Sequence, residues 1–358
     1  MGWIGLSDCH SAVFRRGGLQ ESATPTIGAP VDQMLANGSF WIEFNAHVDQ
    51  TRHNILKYGA RDPDVSGLTI SLEPDATITV MIGKGERYES FCLPTDLDGR
   101  ENSVLLGISW CLGTRTINLA MFSPDTGHFH HAELRGIVPL TTRDWRRVIE
   151  SHHHTQVDPS VNFWAVSDVV EPFGISATFG ANCWVETPRG RTAVADLRPG
   201  QFIKTIDGDL AQIRWIGSQV LPARGRFTPH LIRAPYFGAE HDIVMSAEQG
   251  LCLQGSEIEY VFGLEKVGVR VSQMQNTRSI LPVKGVPTVE YHQLLLDRPA
   301  IFSVSGVNVS GLDTWIHTSD PTTLRHSLIR DLPHELIPAF EPMEMYQLKP
   351  FESASLNR

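Results

Sequence analysis

The stretch that decides the fold of the second half of the chain is Cys183-Trp-Val-Glu-Thr-Pro-Arg-Gly-Arg191, followed by Val194-Ala-Asp-Leu-Arg-Pro-Gly-Gln-Phe-Ile-Lys204. Pro-Arg-Gly is typical of a tight turn, and Leu-Arg-Pro-Gly is typical of a corner that leads into a strand. The stretch therefore predicts short strands joined by turns. The thiol of Cys183, at the head of such a segment, is placed to attack the carbonyl of Asn182 and to convert the peptide bond into a thioester.

Three further stretches follow in a fixed order: Ile213–Gly217, Asp242–Leu253 and Val289–Arg298. Together with the first stretch, they resemble the Hint family, the self-processing module of hedgehog proteins and inteins, in the form that occurs in bacterial proteins. The resemblance implies a horseshoe of strands over residues 183–313. It also implies autocleavage between Asn182 and Cys183 through an N-to-S acyl shift.

Active Hint modules assist this attack with a Thr-x-x-His element and a second histidine on a later strand. Here the first element reads Ser246-Ala-Glu-Gln249, and Gln293 replaces the later histidine. Loss of a general acid typically lowers the rate by about 10² to 10⁴. The nearby His292 faces the other side of its strand unless a bulge intervenes. The candidate catalytic residues are therefore Cys183, Ser246, Gln249, His292 and Gln293, and we expect cleavage to be slow or absent.

Splicing at both ends is not expected. It requires an asparagine followed by Cys, Ser or Thr, whereas Asn357 is followed by Arg358. If the chain acts as an enzyme, we expect at most a single-turnover cleavage at Asn182–Cys183. The alternative hypothesis is a binding or structural protein, in which the N-terminal domain binds a carbohydrate or a protein and the Hint fold serves as a scaffold.

The first half of the chain predicts an antiparallel β-sandwich. Segments with period-2 alternation, such as Ser39–Val48, Gly67–Leu72 and Thr77–Ile82, are separated by turn residues. Their order, with Trp41 in an early strand, resembles the jelly rolls of the concanavalin and laminin-G type. That resemblance implies a fold that often binds sugars. The predicted fold class is mostly β: a jelly-roll-like sandwich, a Hint-type β horseshoe and a short mixed tail.

The predicted domain organisation has five parts: an irregular segment over residues 1–30, the sandwich over 31–151, a linker over 152–182, the Hint domain over 183–313 and a tail over 314–358. Helical periodicity is confined to Leu140–Ser151, with Thr141 or Thr142 as its N-cap, and to Thr322–Ile329 in the tail.

Composition narrows the function classes. The 358 residues carry a formal net charge of −10, which disfavours nucleic acid and anionic membranes as partners. Five cysteines without CxxC spacing do not predict a disulfide scaffold, and we expect Cys92 and Cys252 to be buried. No signal peptide and no run of 18 apolar residues is visible in the sequence. We expect a cytoplasmic location, with export by a signal-independent route left open.

Two histidine clusters raise the question of metal binding, namely His128–His131 and His152–His154. Adjacent residues of a strand point to opposite faces, so each run offers one or two ligands at most. We interpret both as polar loops and expect no metal and no cofactor. The acidic segments Asp62–Asp64 and Asp96–Asp98 lack the oxygen-rich spacing of a calcium loop.

Overall fold

The computed structural model describes residues 2–20, 32–59, 66–123, 128–150, 153–174, 176–312, 321–333, 337 and 344–356. The chain divides into two compact units, Met1–Gly174 and Ile175–Arg358. Both units are built mainly from antiparallel strands, which confirms the predicted mostly β fold class. The segments Asp62–Asp64, His152 and Asn357–Arg358 lie outside the described residues.

Unit 1 is a β-sandwich, and its described residues include one helix. A seven-stranded sheet has the order β10-β9-β8-β3-β12-β1-β2, and a five-stranded sheet has the order β11-β4-β5-β6-β7. Its elements are β1 Trp3–Asp8, β2 Ala12–Phe14, β3 Asn37–Ala46, β4 His53–Tyr58, β5 Ser66–Leu72, β6 Thr77–Lys84, β7 Arg87–Pro94, β8 Asn102–Cys111, β9 Thr116–Phe122, β10 Phe129–Arg135, α1 Thr142–Glu150, β11 Thr155–Val157 and β12 Val161–Ser167.

Alternate residues of the two sheets form the core of unit 1. Phe40, Ile42 and Phe44 of β3 and Ile70 of β5 belong to one buried cluster. Burial of each such side chain contributes about 1.5–3 kcal/mol. Trp41 faces the other side of β3, where its ring centroid lies 4.8 Å from that of Trp3. The period-2 pattern predicted the sandwich correctly because alternate residues of its strands face this core.

The N-terminal cap of α1 is Thr141, one of the two predicted candidates. The amide of Asp144 donates to the Thr141 hydroxyl at 3.3 Å, and the Thr141 amide donates to the Asp144 carboxylate at 2.9 Å. This reciprocal arrangement satisfies two amides that the first helical turn leaves without partners.

Two segments of unit 1 differ from their predicted description. β1 and β2 lie within residues 1–30, which we expected to be irregular, and β12 lies within the expected linker 152–182. β12 pairs with both β3 and β1, so it is an interior strand. Five of its seven residues are consecutive and buried, from Phe163 to Ser167. The consecutive apolar residues from Phe163 to Val166 lack the alternation on which the prediction relied.

The two cysteines expected to be buried behave differently. Cys252 is buried, whereas Cys92 is exposed. Phe91 and Leu93, on either side of Cys92 in β7, face the core. Period 2 therefore turns the Cys92 side chain outward.

Unit 2 contains two further antiparallel sheets. Their orders are β16-β17-β23-β13-β19-β18-β22 and β15-β14-β24-β25-β20-β21. The strands are β13 Phe179–Gly180, β14 Trp184–Thr187, β15 Gly190–Ala193, β16 Phe202–Lys204, β17 Leu210–Pro222, β18 Pro229–Ile232, β19 Ile243–Ser246, β20 Gly250–Gln254, β21 Lys266–Arg270, β22 Ile280–Pro282, β23 Thr288–Leu296, β24 Ile301–Val304 and β25 Val307–Ser310. The α-helices are α2 Ser256–Phe262, α3 Pro321–His326 and α4 Pro350–Ser353.

The stretch that opened the sequence analysis folds as expected. β14 and β15 form a hairpin that turns at Gly190, whose φ is +110°, and the Leu-Arg-Pro-Gly corner turns at Gly200, whose φ is +89°. Glycine adopts such left-handed conformations without the steric cost that a Cβ imposes. β16 follows the corner and pairs with β17. The core of the unit lies between its sheets and includes Phe179, Ile213 and Leu294.

The described parts of the tail contact unit 2 at several points, and one of them is a pair of backbone hydrogen bonds to β21. The Gly268 amide of β21 donates to the Tyr346 carbonyl, and the Leu348 amide donates to the Gly268 carbonyl, both at 2.8 Å. Leu348 is buried in the core. The helix predicted over Thr322–Ile329 is shorter, since α3 ends at His326. Across the described part of the chain, no helix combines the length and apolar character that a bilayer crossing requires.

Candidate functional site

Cys183 lies between β13 and β14, and its side chain belongs to the apolar core of unit 2. The side chain is 0% exposed, and its Sγ atom donates to the Val244 carbonyl at 3.6 Å. Burial raises the pKa of the Cys183 thiol to about 12. The reactive thiolate is therefore strongly disfavoured near neutral pH, because a charge in an apolar environment loses its hydration.

The carbonyl that the thiol would attack has one imidazole partner. His241 donates from Nε2 to the carbonyl oxygen of Asn182 at 3.2 Å, and its ring packs edge-on against Trp184 with centroids 5.0 Å apart. The Asn182 side chain donates to the Asp242 carbonyl at 3.0 Å. His241 was not among the candidates predicted from the sequence, where its only signal is its position directly before the Asp242–Leu253 stretch.

Gln249 has a fully used side-chain amide. Its Oε1 atom accepts from the Thr178 hydroxyl at 2.5 Å. Its Nε2 atom donates to the Gly250 carbonyl at 2.8 Å and to the Ser310 carbonyl at 3.2 Å. Gln249 therefore faces Thr178, and its hydrogen bonds do not include Asn182 or Cys183.

Gln293, which lies on β23, binds the same hydroxyl. Its Nε2 atom donates to Thr178 Oγ1 at 3.1 Å, and its Oε1 atom accepts from the Leu294 amide at 3.0 Å. The Thr178 hydroxyl thus accepts from Gln293 and donates to Gln249. We call Thr178, Gln249 and Gln293 the Gln-Thr-Gln cluster; all three are buried.

The backbone of Thr178 forms hydrogen bonds to β19 and to β23. The Thr178 amide donates to the His292 carbonyl at 3.2 Å, and the Thr178 carbonyl accepts from the Ser246 amide at 2.8 Å. Thr178 therefore occupies the place where β19 and β23 converge beside β13. Sequence reasoning missed it, because its side-chain partners lie 71 and 115 residues further along the chain.

The remaining two candidates lie beside the cluster without joining it through their side chains. The Ser246 hydroxyl is buried and donates to the Arg226 carbonyl at 3.5 Å. His292 is partly exposed, whereas its neighbour Gln293 is buried. β23 pairs with β17 in regular register here, with Gly217 opposite Gln293 and Ser218 opposite His292. The two side chains therefore point to opposite faces of the strand.

The structure thus brings three of the five predicted residues to one place. Gln249 and Gln293 bind the Thr178 hydroxyl and Ser246 binds its carbonyl through the backbone, whereas Cys183 lies in the core and His292 faces away. The arrangement contains hydrogen-bond donors and acceptors but no group that titrates near neutral pH.

Unit 2 is accordingly an antiparallel β module with a buried polar cluster where its first strand meets two later ones. Residues 177–312 match the family model of the Hint domain. The chain therefore contains a Hint domain over these residues. The match begins at residue 177, directly before Thr178, rather than at Cys183.

Solved structures of low sequence identity resemble parts of the chain. The MchDnaB-1 intein is 14% identical, with 37% of this chain and 99% of that chain covered and a TM-score of 0.26. The gp41-1 intein is 11% identical, covering 38% and 100%, with a TM-score of 0.26. The Ruminococcus gnavus IT-sialidase CBM40 bound to alpha2,6 sialyllactose is 12% identical, covering 37% and 76%, with a TM-score of 0.26. Comparison with curated protein sequences gave no match.

Proposed function

We propose that the Hint domain of this chain is a scaffold that does not cleave itself under ordinary conditions. The observation that carries the proposal is the Gln-Thr-Gln cluster. It fills the meeting point of β13, β19 and β23 with amide and hydroxyl groups that bind each other. Active Hint modules, by the resemblance given above, place histidines in the corresponding motifs.

The cluster does not activate a nucleophile. The Thr178 hydroxyl donates to an amide oxygen of Gln249, and an amide does not remove a proton near neutral pH. A hydroxyl needs an adjacent general base to become a useful nucleophile. Attack by Thr178 on the preceding carbonyl is therefore not assisted.

Cys183 is no better placed for chemistry. With a pKa of about 12, only about one thiol in 10⁵ is ionised at pH 7. A free thiol with a pKa of roughly 8.5 would be ionised a few thousand times more often. The His241 hydrogen bond to Asn182 is the one contact that favours cleavage there. It polarises the carbonyl, but it does not offset the missing thiolate.

Intact mass tests the proposal. The purified full chain and its Cys183→Ala and Thr178→Ala variants are incubated with dithiothreitol or hydroxylamine near neutral pH, and each mass is followed for several days. We expect one species at 39.8 kDa in all three. A fragment that starts at residue 183 and is lost in Cys183→Ala would overturn the proposal, as would one that starts at residue 178 and is lost in Thr178→Ala.

The binding role of the N-terminal sandwich, for a carbohydrate or a protein, remains a prediction. A glycan array and a pull-down with the full chain test it. Specific, saturable binding of one glycan class would support it. The absence of any ligand in both experiments would remove its content.

A further inference from the structure

The edge strands of the two sheets of unit 1 contact each other at one side of the sandwich. β7 is the edge of the five-stranded sheet, and β10 is the edge of the seven-stranded sheet. Asp96 lies just after β7. His128 and His130 lie just before and within β10. This edge therefore brings residues from two distant parts of the sequence to one surface.

Asp96 bridges the two imidazoles. Its Oδ1 atom lies 2.6 Å from Nε2 of His130, and its Oδ2 atom contacts Nδ1 of His128. The ring centroids of the two histidines lie 6.5 Å apart. One carboxylate oxygen and two imidazole nitrogens all lie within 4.8 Å of one another.

Two-residue spacing explains why these histidines converge. His128 and His130 are alternate residues of an extended segment, so they share a face. His131, which follows, lies on the opposite face. A run of histidines supplies few ligands, as expected from the sequence. The contact of Asp96 with these histidines could not be predicted from the sequence, because Asp96 lies 34 residues from His130.

The surrounding structure holds Asp96 in position. The Thr95 hydroxyl donates to the Ala76 carbonyl at 2.5 Å, and the Leu97 amide donates to that hydroxyl at 3.3 Å. The Leu97 side chain is buried in the core of the sandwich. Asp96 is thus fixed by anchored residues on both sides, and less entropy is lost when its carboxylate is ordered by a ligand.

We propose that Asp96, His128 and His130 form a binding site for a first-row divalent transition-metal ion, with Zn²⁺ as the expected occupant. Two imidazole nitrogens and one carboxylate oxygen are a ligand set that Zn²⁺ accepts. Ca²⁺ prefers six to eight oxygen ligands, so it fits this set poorly.

The geometry requires only a small adjustment. Ligand atoms of a tetrahedral Zn²⁺ site lie about 3.3 Å apart, because Zn–N and Zn–O distances are about 2.1 Å. The ligand side chains are 25–54% exposed, so they have room to rotate by that amount. The fourth coordination position faces solvent and takes water or a ligand from outside the chain. A bound ion would join the edges of the two sheets.

Isothermal titration of Zn²⁺ into the chelator-treated full chain tests the site. We expect one equivalent of Zn²⁺ to bind, and we expect Asp96→Asn, His128→Ala and His130→Ala each to weaken binding by at least about tenfold. The matched control is the double variant His153→Ala/His154→Ala, which removes two exposed histidines elsewhere in unit 1 and should bind as the parent does. Circular dichroism without metal checks that each variant is folded.

Cobalt provides a second readout. Co²⁺ bound at this site should give the intense visible absorption of a tetrahedral complex in the parent and the control, and this absorption should be lost in the three ligand variants. The proposal is overturned if the parent shows no saturable Zn²⁺ binding below about 1 mM. It is equally overturned if the ligand variants, shown to be folded, bind as tightly as the parent. In either case Asp96 is only a hydrogen-bond acceptor for two histidines.

Discussion

Thr178 and Cys183 lie five residues apart in the same unit, and their surroundings are opposite in kind. The Thr178 hydroxyl has a donor on β23 (Gln293) and an acceptor in the turn between β19 and β20 (Gln249). The Cys183 thiol lies among apolar side chains and donates to one backbone carbonyl. A polar site therefore forms where strands from distant parts of the chain converge. A reactive side chain such as the Cys183 thiol does not by itself create such a site. Four experiments probe this difference.

The largest effect is expected from Thr178→Val, which keeps the shape of the side chain and removes the hydroxyl. Buried Gln249 then lacks a donor and buried Gln293 lacks an acceptor, and each unsatisfied group costs about 1–3 kcal/mol. We expect the free energy of unfolding of unit 2 to fall by about 2–4 kcal/mol. Urea titration of the full chain, with hydrogen exchange followed in peptides from residues 176–312, measures it.

Thr178→Ser is the control for that measurement. It keeps the hydroxyl and loses a methyl group, for which we expect a cost of about 1 kcal/mol. Equal stability of the valine and serine variants would show that the cluster contributes nothing through its hydrogen bonds.

The next effect depends on pH and belongs to Cys183. Its pKa is about 12 in the folded chain and about 8.5 in an unfolded one. Between these values the unfolded chain has released a proton that the folded chain retains. The free energy of unfolding therefore falls as pH rises, by about 1.4 kcal/mol per pH unit from this group. The contribution is intact below pH 8.5 and is lost as pH rises towards 12.

A comparison with Cys183→Ala isolates the contribution of the Cys183 thiol, because all other titratable groups, including buried Tyr291, are present in both proteins. Urea unfolding at intervals from pH 8 to pH 10.5 should show the parent losing stability faster than the variant. Parallel curves for the two proteins would mean that the thiol is not buried as described.

A smaller effect is expected from two replacements of Cys183 at pH 7. Cys183→Ala removes a buried sulfur and should cost about 1 kcal/mol. Cys183→Ser places a hydroxyl in the same apolar position and should cost about 1–2 kcal/mol, with the Val244 carbonyl as its available acceptor. Thermal unfolding of the matched pair measures the difference. A serine variant more stable than the alanine variant would contradict the apolar character of the position.

The smallest effect is expected from His241→Ala. The imidazole is partly exposed, and water can replace its hydrogen bond to the Asn182 carbonyl, so we expect a change of about 0.5 kcal/mol or less. His241→Gln retains a donor and serves as the control. A loss of several kcal/mol in the alanine variant, measured by urea unfolding, would show that this contact organises the turn before β14.

The sequence predicted much of the fold, and local pattern explains why. Period-2 alternation located β3, β5 and β6, and turn residues located β14 to β16. β12 was missed because its apolar residues from Phe163 to Val166 are consecutive in the sequence, which removes the alternation. β1 was missed because its buried residues from Trp3 to Ser7 are consecutive and because one of its two partners, β12, lies more than 150 residues away.

The candidate site was predicted only in part. Motif spacing identified Gln249 and Gln293, whose side chains both bind the Thr178 hydroxyl. It selected Cys183 as the nucleophile because this thiol stands at the head of a β segment that resembles the start of a Hint module. The register that places Thr178 between them depends on β13 pairing with β19 and β23. Such pairing across long stretches of chain cannot be read from a local pattern.

The three hydrogen bonds of Gln249 have a consequence for how this domain can evolve. An amide accepts one bond and donates two there, but an imidazole has only two ring nitrogens. Histidine at position 249 would therefore leave at least one of these three contacts unmade. Compensating changes around Ser310 or Thr178 would have to accompany such a mutation, so a single substitution of Gln249 is disfavoured.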